Sequence, residues 1–311
     1  MTDAVRHLLR DDDLTPAEQA AVLDLAAELK AAPYSSQALA GPQTVAMIFD
    51  KQTLRTQTTF TAGIAEMGGF PLVVDGALAG IGVRESVEDV ARVLGRQVAA
   101  IVWRTHAQAR LETMAAHAGV PVVNALTDEF HPCQLLADLL TVREHRGDLV
   151  GQTVTFLGDG ACNMAHSWLL AGATAGMHVR ISAPTGYTPD GEVLERAEKI
   201  ATGTGGSVVL VDDPRAASEA ADLLVTDTWT SMGREAEADD RLARLGPYQL
   251  DDRLLALAAP DAIALHCLPA YRGKEITAEV LDGTRSVVWD EAENRRHVQK
   301  AVLAFLLGGA G

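Results

Sequence analysis

The chain is poor in cysteine, in aromatic residues and in positive charge. Cys133, Cys162 and Cys267 are its only cysteines among 311 residues. Three widely spaced thiols build neither a disulfide framework nor a C-x-x-C metal site. Lys and Arg number 26 against 42 Asp and Glu, a formal net charge of −16. A surface of that sign repels phosphate backbones and anionic lipid, so neither nucleic acid nor a membrane is expected as a partner. An anionic ligand would need a locally basic pocket. No apolar run approaches the ~20 residues of a membrane span. The opening MTDAVRHLLRDDDL has neither an apolar signal core nor a transit composition, which predicts a soluble, cytoplasmic protein. Aromatics make up only 5%, yet 48% of residues are hydrophobic, enough for large cores. At roughly 150 residues per domain, the length predicts two.

What is present is an alternation of short apolar runs with helical patterns, the mark of parallel α/β sheets. Strands are predicted at 44–50, 71–76, 99–105, 121–126, 153–159, 178–184, 207–213, 223–229 and 262–269, with 286–290 as a last edge. Helical patterns fill the intervals, and a final helix runs from Glu291 to Leu307. The fold class is therefore α/β, with two doubly wound parallel-sheet domains. Ligands of such sheets sit at the carboxyl ends of strands, which directs attention to the residues after Asp50, Thr105, Leu126, Asp159, Asp227 and Leu268.

Each of those places is chemically unusual. Thr53, Arg55 and Thr56 at a helix opening form an anion cradle or, alternatively, an ordinary N-cap with a solvated arginine. Arg104 ends a strand. His131 and Gln134 stand three apart at a helix start, able to hydrogen-bond one small polar group, although His131 also suits a structural cap. No second His or Cys lies at metal-ligand spacing, so no metal is expected. The turn Gly158-Asp159-Gly160-Ala161-Cys162-Asn163 carries Asn163 where a dinucleotide fingerprint needs its third Gly, which argues against NAD. Asp227 suits a substrate ammonium, Ser231 with the next backbone N–H suits a carboxylate, and Cys267 is a candidate proton acceptor or nucleophile.

Taken together, FDK…RT (49–56), WRT (103–105), DEFHPCQLLAD (128–138), GDGACNMAHS (158–167), DTWTSMG (227–233), HCLPAYRG (266–273) and WDEAENRRHVQKA (289–301) resemble the ornithine carbamoyltransferases over essentially the whole length. The resemblance implies a carbamoyl-phosphate domain at 1–146, an ornithine domain at 147–290 and a C-terminal helix, 291–311, returning to the first domain. It implies transfer of the carbamoyl group of carbamoyl phosphate to the δ-amine of L-ornithine, giving L-citrulline and phosphate. No cofactor is implied, and the assembly would be a homotrimer, or a multiple of trimers, with shared active sites.

Position by position, Thr53, Leu54, Arg55 and Thr56 would hold the donor phosphate. Arg104 would bridge phosphate and carbonyl oxygen, and His131 would polarise that oxygen. Gln134 and the backbone of Cys267 and Leu268 would hold the carbamoyl amide, with Arg295 nearby. Asn163, Asp227, Ser231 and Met232 would hold ornithine. The departures lie on the donor side: Leu54 replaces a hydroxyl, Gln57 replaces a positive charge, and Gly80 stands near the usual place of a Gln that reaches the neighbouring subunit. They leave open a specialised paralogue, inhibitor-resistant or using another donor or amine, and a non-catalytic homologue.

Overall fold

The computed structural model describes residues 5–230 and 237–308. Ser231 and Met232, expected to hold ornithine, lie outside the described residues. Two compact units emerge, divided between Leu140 and Thr141 and again between Ala292 and Glu293, so the chain's last helix returns to the first unit.

The sheet of the first unit contains β1 (Thr44–Phe49), β2 (Phe70–Asp75), β3 (Ala100–Arg104) and β4 (Val122–Leu126) in the order β2-β1-β3-β4. The second holds β5 (Thr153–Leu157), β6 (His178–Ser182), β7 (Ser207–Leu210), β8 (Leu223–Thr226) and β9 (Ile263–His266) in the order β7-β6-β5-β8-β9. Every pairing between these strands is parallel. The fold class read from the sequence is thus borne out.

Burial explains which runs became central. Val45, Ala46, Met47 and Ile48 of β1 are fully buried, whereas β2 at the sheet's edge leaves Phe70, Leu72 and Val73 exposed. Ile48, Ile101, Trp103, Leu111, Met114 and Val122 belong to a core cluster of the first unit. Leu157, Leu224, Leu254, Ile276, Val280 and Val288 do the same for the second.

The expected edge strand at 286–290 is not a strand. Ser286 makes a single bridge to Ala264, and the helix Val288–Leu306 has already begun within the same run. Val287 and Val288 are buried while Trp289 is exposed, so this run serves as well for a first helical turn as for a strand. Two helices, Pro16–Ala31 and Ala238–Leu245, stand outside the elements named from the sequence. The first is nevertheless well marked at its start: Thr15 and Glu18 form a capping box, and Pro16 takes the first helical position.

The returning helix docks on the first unit through polar bonds as well as apolar ones. Val298, Ala301, Val302 and Leu303 are buried. Lys300, fully buried, donates to the carbonyls of Leu29 and Pro33 and pairs with Glu66 at 2.6 Å. A Cβ at Gly63 would lie 2.9 Å from Cγ of Lys300, so glycine there lets the helix come close.

Candidate active site

Both units place their unusual residues at the carboxyl ends of the strands that flank the reversal of strand order. In the first unit these are β1 and β3, joined by the end of β4; in the second they are β5 and β8, joined by the end of β9.

The first unit gathers cations around a neutral ring. The helix Arg55–Glu66 follows β1 directly, which puts Arg55 at its opening and buries Thr56. Arg104 is the last residue of β3. His131 immediately precedes the helix Pro132–Arg146, which fixes Gln134 in that helix's first turn. From the returning helix, Arg295 donates to Oε1 of Gln134 at 2.8 Å and to Oγ1 of Thr56 at 2.9 Å. Nε2 of Gln134 donates in turn to Asp138 at 2.8 Å. That pattern fixes the amide's orientation.

His131 is buried, and burial drives its pKa well below the ordinary histidine value. The nearby charges of Arg295, Arg104 and Lys51 add to that effect. The ring is therefore neutral at physiological pH and can donate one N–H without carrying charge. Lys51 is ion-paired with Asp128. Cys133, buried beside this cluster, donates to the carbonyl of Asn124 at 3.4 Å, and burial pushes its thiol up to about 12. It is a small core residue with no nucleophilic character.

Of the donor-side expectations, the structure brings Thr56, Gln134 and Arg295 together and sets Arg104 close enough to influence His131. Thr53 does not cap the helix. The N-cap position belongs to Leu54, which makes no side-chain capping bond and is 76% exposed.

The second unit sets carboxylates beside a thiol and an imidazole. Cys267 follows β9, and its thiol donates to Oδ1 of Asp227, just beyond β8, at 3.2 Å. Burial raises the pKa of Asp227, while its bonds from Cys267 and from the N–H of Thr228 oppose the rise. Leu268 has φ +57°, a left-handed conformation unusual for leucine, and donates its N–H to Nδ1 of His266 at 2.9 Å. Nδ1 is therefore an acceptor, so Nε2 carries the proton toward Oε1 of Glu275, 3.2 Å away. Glu275 also accepts the N–H of Tyr271 and is fully buried.

One carboxylate thus holds both flanks of the His266–Pro269 turn. Donor atoms of Asp227, His266 and Cys267 lie within 4.8 Å of one another, but both ring nitrogens of His266 are already engaged. The arrangement is built for proton bonds.

Asn163 opens the helix Asn163–Thr174, whose N-cap is Cys162; the Cys162 sulfur accepts the N–H of Ala165 at 3.5 Å. Asp159, in the same turn, is paired with the buried Arg241, which also donates to the carbonyl of Trp229. Glu275 and Arg241 were not singled out from the sequence. Each sits in a charged, surface-like stretch, and only folding shows that it is buried.

Comparison with known proteins decides the family. The carbamoyl-phosphate-binding domain of aspartate/ornithine carbamoyltransferase matches residues 6–144, and the Asp/Orn-binding domain of the same family matches residues 150–306. The chain belongs to the aspartate/ornithine carbamoyltransferase family.

Within that family it is similar to the ornithine carbamoyltransferase of Clavibacter michiganensis subsp. michiganensis, 65% identical over 302 residues, 97% of this chain and 98% of the relative. It is 59% identical over 306 residues to the enzyme of Renibacterium salmoninarum, again with 97% and 98% covered. Among solved structures, the ornithine carbamoyltransferase of Pyrococcus furiosus matches with a TM-score of 0.94 and 42% identity, covering 99% of each chain. That of Gloeobacter violaceus matches with a TM-score of 0.88 and 45% identity, covering 97% of this chain and 99% of the other. Near-full-length likeness to this branch favours the main expectation over a specialised or non-catalytic paralogue.

Proposed function

We propose that the protein is an ornithine carbamoyltransferase, transferring the carbamoyl group of carbamoyl phosphate to the δ-amine of L-ornithine to give L-citrulline and phosphate. The observation that carries the chemistry is the buried cluster of Arg295, Gln134, Thr56 and neutral His131. It offers preformed N–H donors and positive charge to a small anion carrying a carbonyl. The choice of ornithine rests on the relatives of that branch.

In this reading Thr53, the N–H of Leu54, Arg55 and Thr56 hold the phosphate, and Arg104 spans phosphate and carbonyl oxygen. His131 donates its N–H to that oxygen, and Oε1 of Gln134 accepts from the carbamoyl amide. Asn163, Asp227, Ser231 and Met232 hold ornithine. The neutral δ-amine attacks the carbonyl carbon; the C–N bond forms and the C–O bond to phosphate then breaks, with the pair leaving on phosphate. The nitrogen loses its proton toward the Asp227–Cys267 pair, whose carboxylate pKa is raised by burial toward a more effective base. Negative charge grows first on the carbonyl oxygen and then on phosphate, where fixed donors act most strongly. Each such donor is worth roughly 3–4 kcal/mol where one has been removed.

The same reading makes the protein a homotrimer, or a multiple of trimers, acting in arginine biosynthesis in the cytoplasm. The edge strand β2 supports assembly: Phe70, Leu72 and Val73 are exposed on it, and Leu78 and Val83 follow at 85% and 93% exposure. An apolar sheet edge of this kind is stabilised when covered by another chain. Light scattering should give about three times the 32.9 kDa chain mass, or a multiple of that.

The deciding experiment is a citrulline assay on the purified protein with carbamoyl phosphate and ornithine, run beside lysine, putrescine and acetylornithine. Citrulline formation with ornithine preferred is expected. Turnover of another amine in its place, or none at all, would overturn the reading.

A further inference from the structure

Arg110 lies outside every candidate set above, in the helix Gln108–Ala118 that follows β3. Its guanidinium nevertheless has three partners and a stacking surface. One nitrogen donates to Oδ2 of Asp50 at 3.1 Å and to Oγ1 of Thr105 at 3.2 Å; another donates to the carbonyl of Ile81 at 2.6 Å. The group also stands 5.0 Å over the ring of buried Trp103. Thr105 closes the network by donating to the same Asp50 oxygen at 2.6 Å.

The positions of these partners give the network its meaning. Asp50 follows β1 and immediately precedes Lys51 and the loop to Arg55. Thr105 immediately follows Arg104. Ile81 lies just past the short helix Gly76–Ala79 that follows β2, where it bridges Glu85. Asp50 is packed so tightly that a Cβ on Gly76 would fall 1.9 Å from Oδ1, so no side chain fits there. A planar guanidinium with its donors in a fixed fork sets distance and angle to several acceptors at once, which an ammonium does not.

We infer that Arg110 is a positioning residue for carbamoyl-phosphate binding, holding the ends of β1 and β3, and thereby Lys51–Thr56 and Arg104, in register with each other and with the turn at Ile81. This rests on the proposed reaction, because its readout is donor binding. Among the described residues, the hydrogen bonds of Arg110 go to Asp50, Thr105 and Ile81, and it acts through the first two. Small misplacements of binding groups have large kinetic effects, up to about 100-fold for 1 Å.

The test compares unmodified protein with Arg110→Met, Arg110→Lys and Asp50→Asn, following citrulline formation while each substrate is varied. Arg110→Met keeps an unbranched stem over Trp103 and removes the fork. It should raise KM for carbamoyl phosphate about tenfold and leave KM for ornithine unchanged, with Arg110→Lys recovering only part of the loss. Asp50→Asn should show the same split, and the double variant should lose no more than the worse single one, because both break one network.

The loss should persist at about 0.5 M salt, where long-range attraction between Arg110 and an anion is screened. A lowered thermal midpoint with unchanged donor KM would make Arg110 merely structural and overturn the inference. So would a donor effect that vanishes in salt. If Arg110→Met fails to fold, the nearly isosteric Asp50→Asn decides alone. Failure of the unmodified protein to make citrulline would instead strike at the proposed reaction, a separate outcome.

Discussion

The two units solve opposite electrostatic problems on one kind of scaffold. In the first, Arg104 and Lys51 at the strand ends and Arg295 of the returning helix surround a histidine kept uncharged. In the second, Asp227, His266 and Cys267 stand at the strand ends, Cys267 bonded to Asp227 and His266 to the buried carboxylate of Glu275. A parallel sheet contributes strand ends and helix openings without regard to the ligand's sign. The side chains placed there decide whether the crevice takes an anion or an amine. The strongly acidic overall composition conceals the first unit's basic cluster, because net charge is a sum and a site is local.

The comparison breaks most visibly at Arg104. Arg104→Ala should lower kcat for citrulline formation by about 10³-fold while ornithine binding, followed by calorimetry, stays nearly unchanged. Equal loss of turnover and of ornithine binding would erase the division of labour. Asp227→Asn is the mirror image: about 100-fold lower kcat/KM for ornithine, with carbamoyl-phosphate binding retained. Donor binding lost and acceptor binding kept would reverse the assignment of the two units.

A smaller effect sharpens the acceptor side. The negative charge of Glu275 is among the groups that raise the pKa of Asp227. Glu275→Gln should therefore move the acid limb of the pH–rate profile to lower pH, with about a tenfold fall in rate from the loosened turn. An unmoved limb would separate Glu275 from Asp227.

The smallest effect concerns stability and lies in the first unit. Burial and the nearby Lys300, Arg296 and Lys30 lower His297 from 6.5 to about 4. Between those pH values the unfolded chain binds a proton that the folded one does not, so stability falls as pH drops through this window. His131, also lowered by burial, acts in the same direction below its ordinary value. His297→Asn should flatten the fall of the thermal midpoint between pH 6.5 and pH 4; an unchanged slope would assign the dependence to other groups.

Much of this was legible in the sequence because strand and helix periods are local signals. The runs 44–50, 99–105 and 223–229 each became a central strand, and the ends of the last two carried the arginine and aspartate that drew attention. Asp227 and Cys267, 40 residues apart, were recognised by type, but their 3.2 Å bond was not predictable from spacing. Leu54 shows the limit from the other side. It stands where a hydroxyl was expected to grip phosphate, and in the folded chain its side chain faces solvent.

The sequence by itself determined the α/β class, the order of the strands along the chain and the residue types offered at each strand end, because these follow from short-range periodicity and from what each side chain can donate or accept. Tertiary structure alone decided which of those groups meet. Folding placed Arg295 on Thr56, 239 residues away, and on Gln134. It buried His131 and lowered its pKa, and it turned Glu275 and Arg110 from surface-like residues into braces. Burial and long-range contact set desolvation and hydrogen-bond geometry, and neither is written in the spacing of residues along a chain.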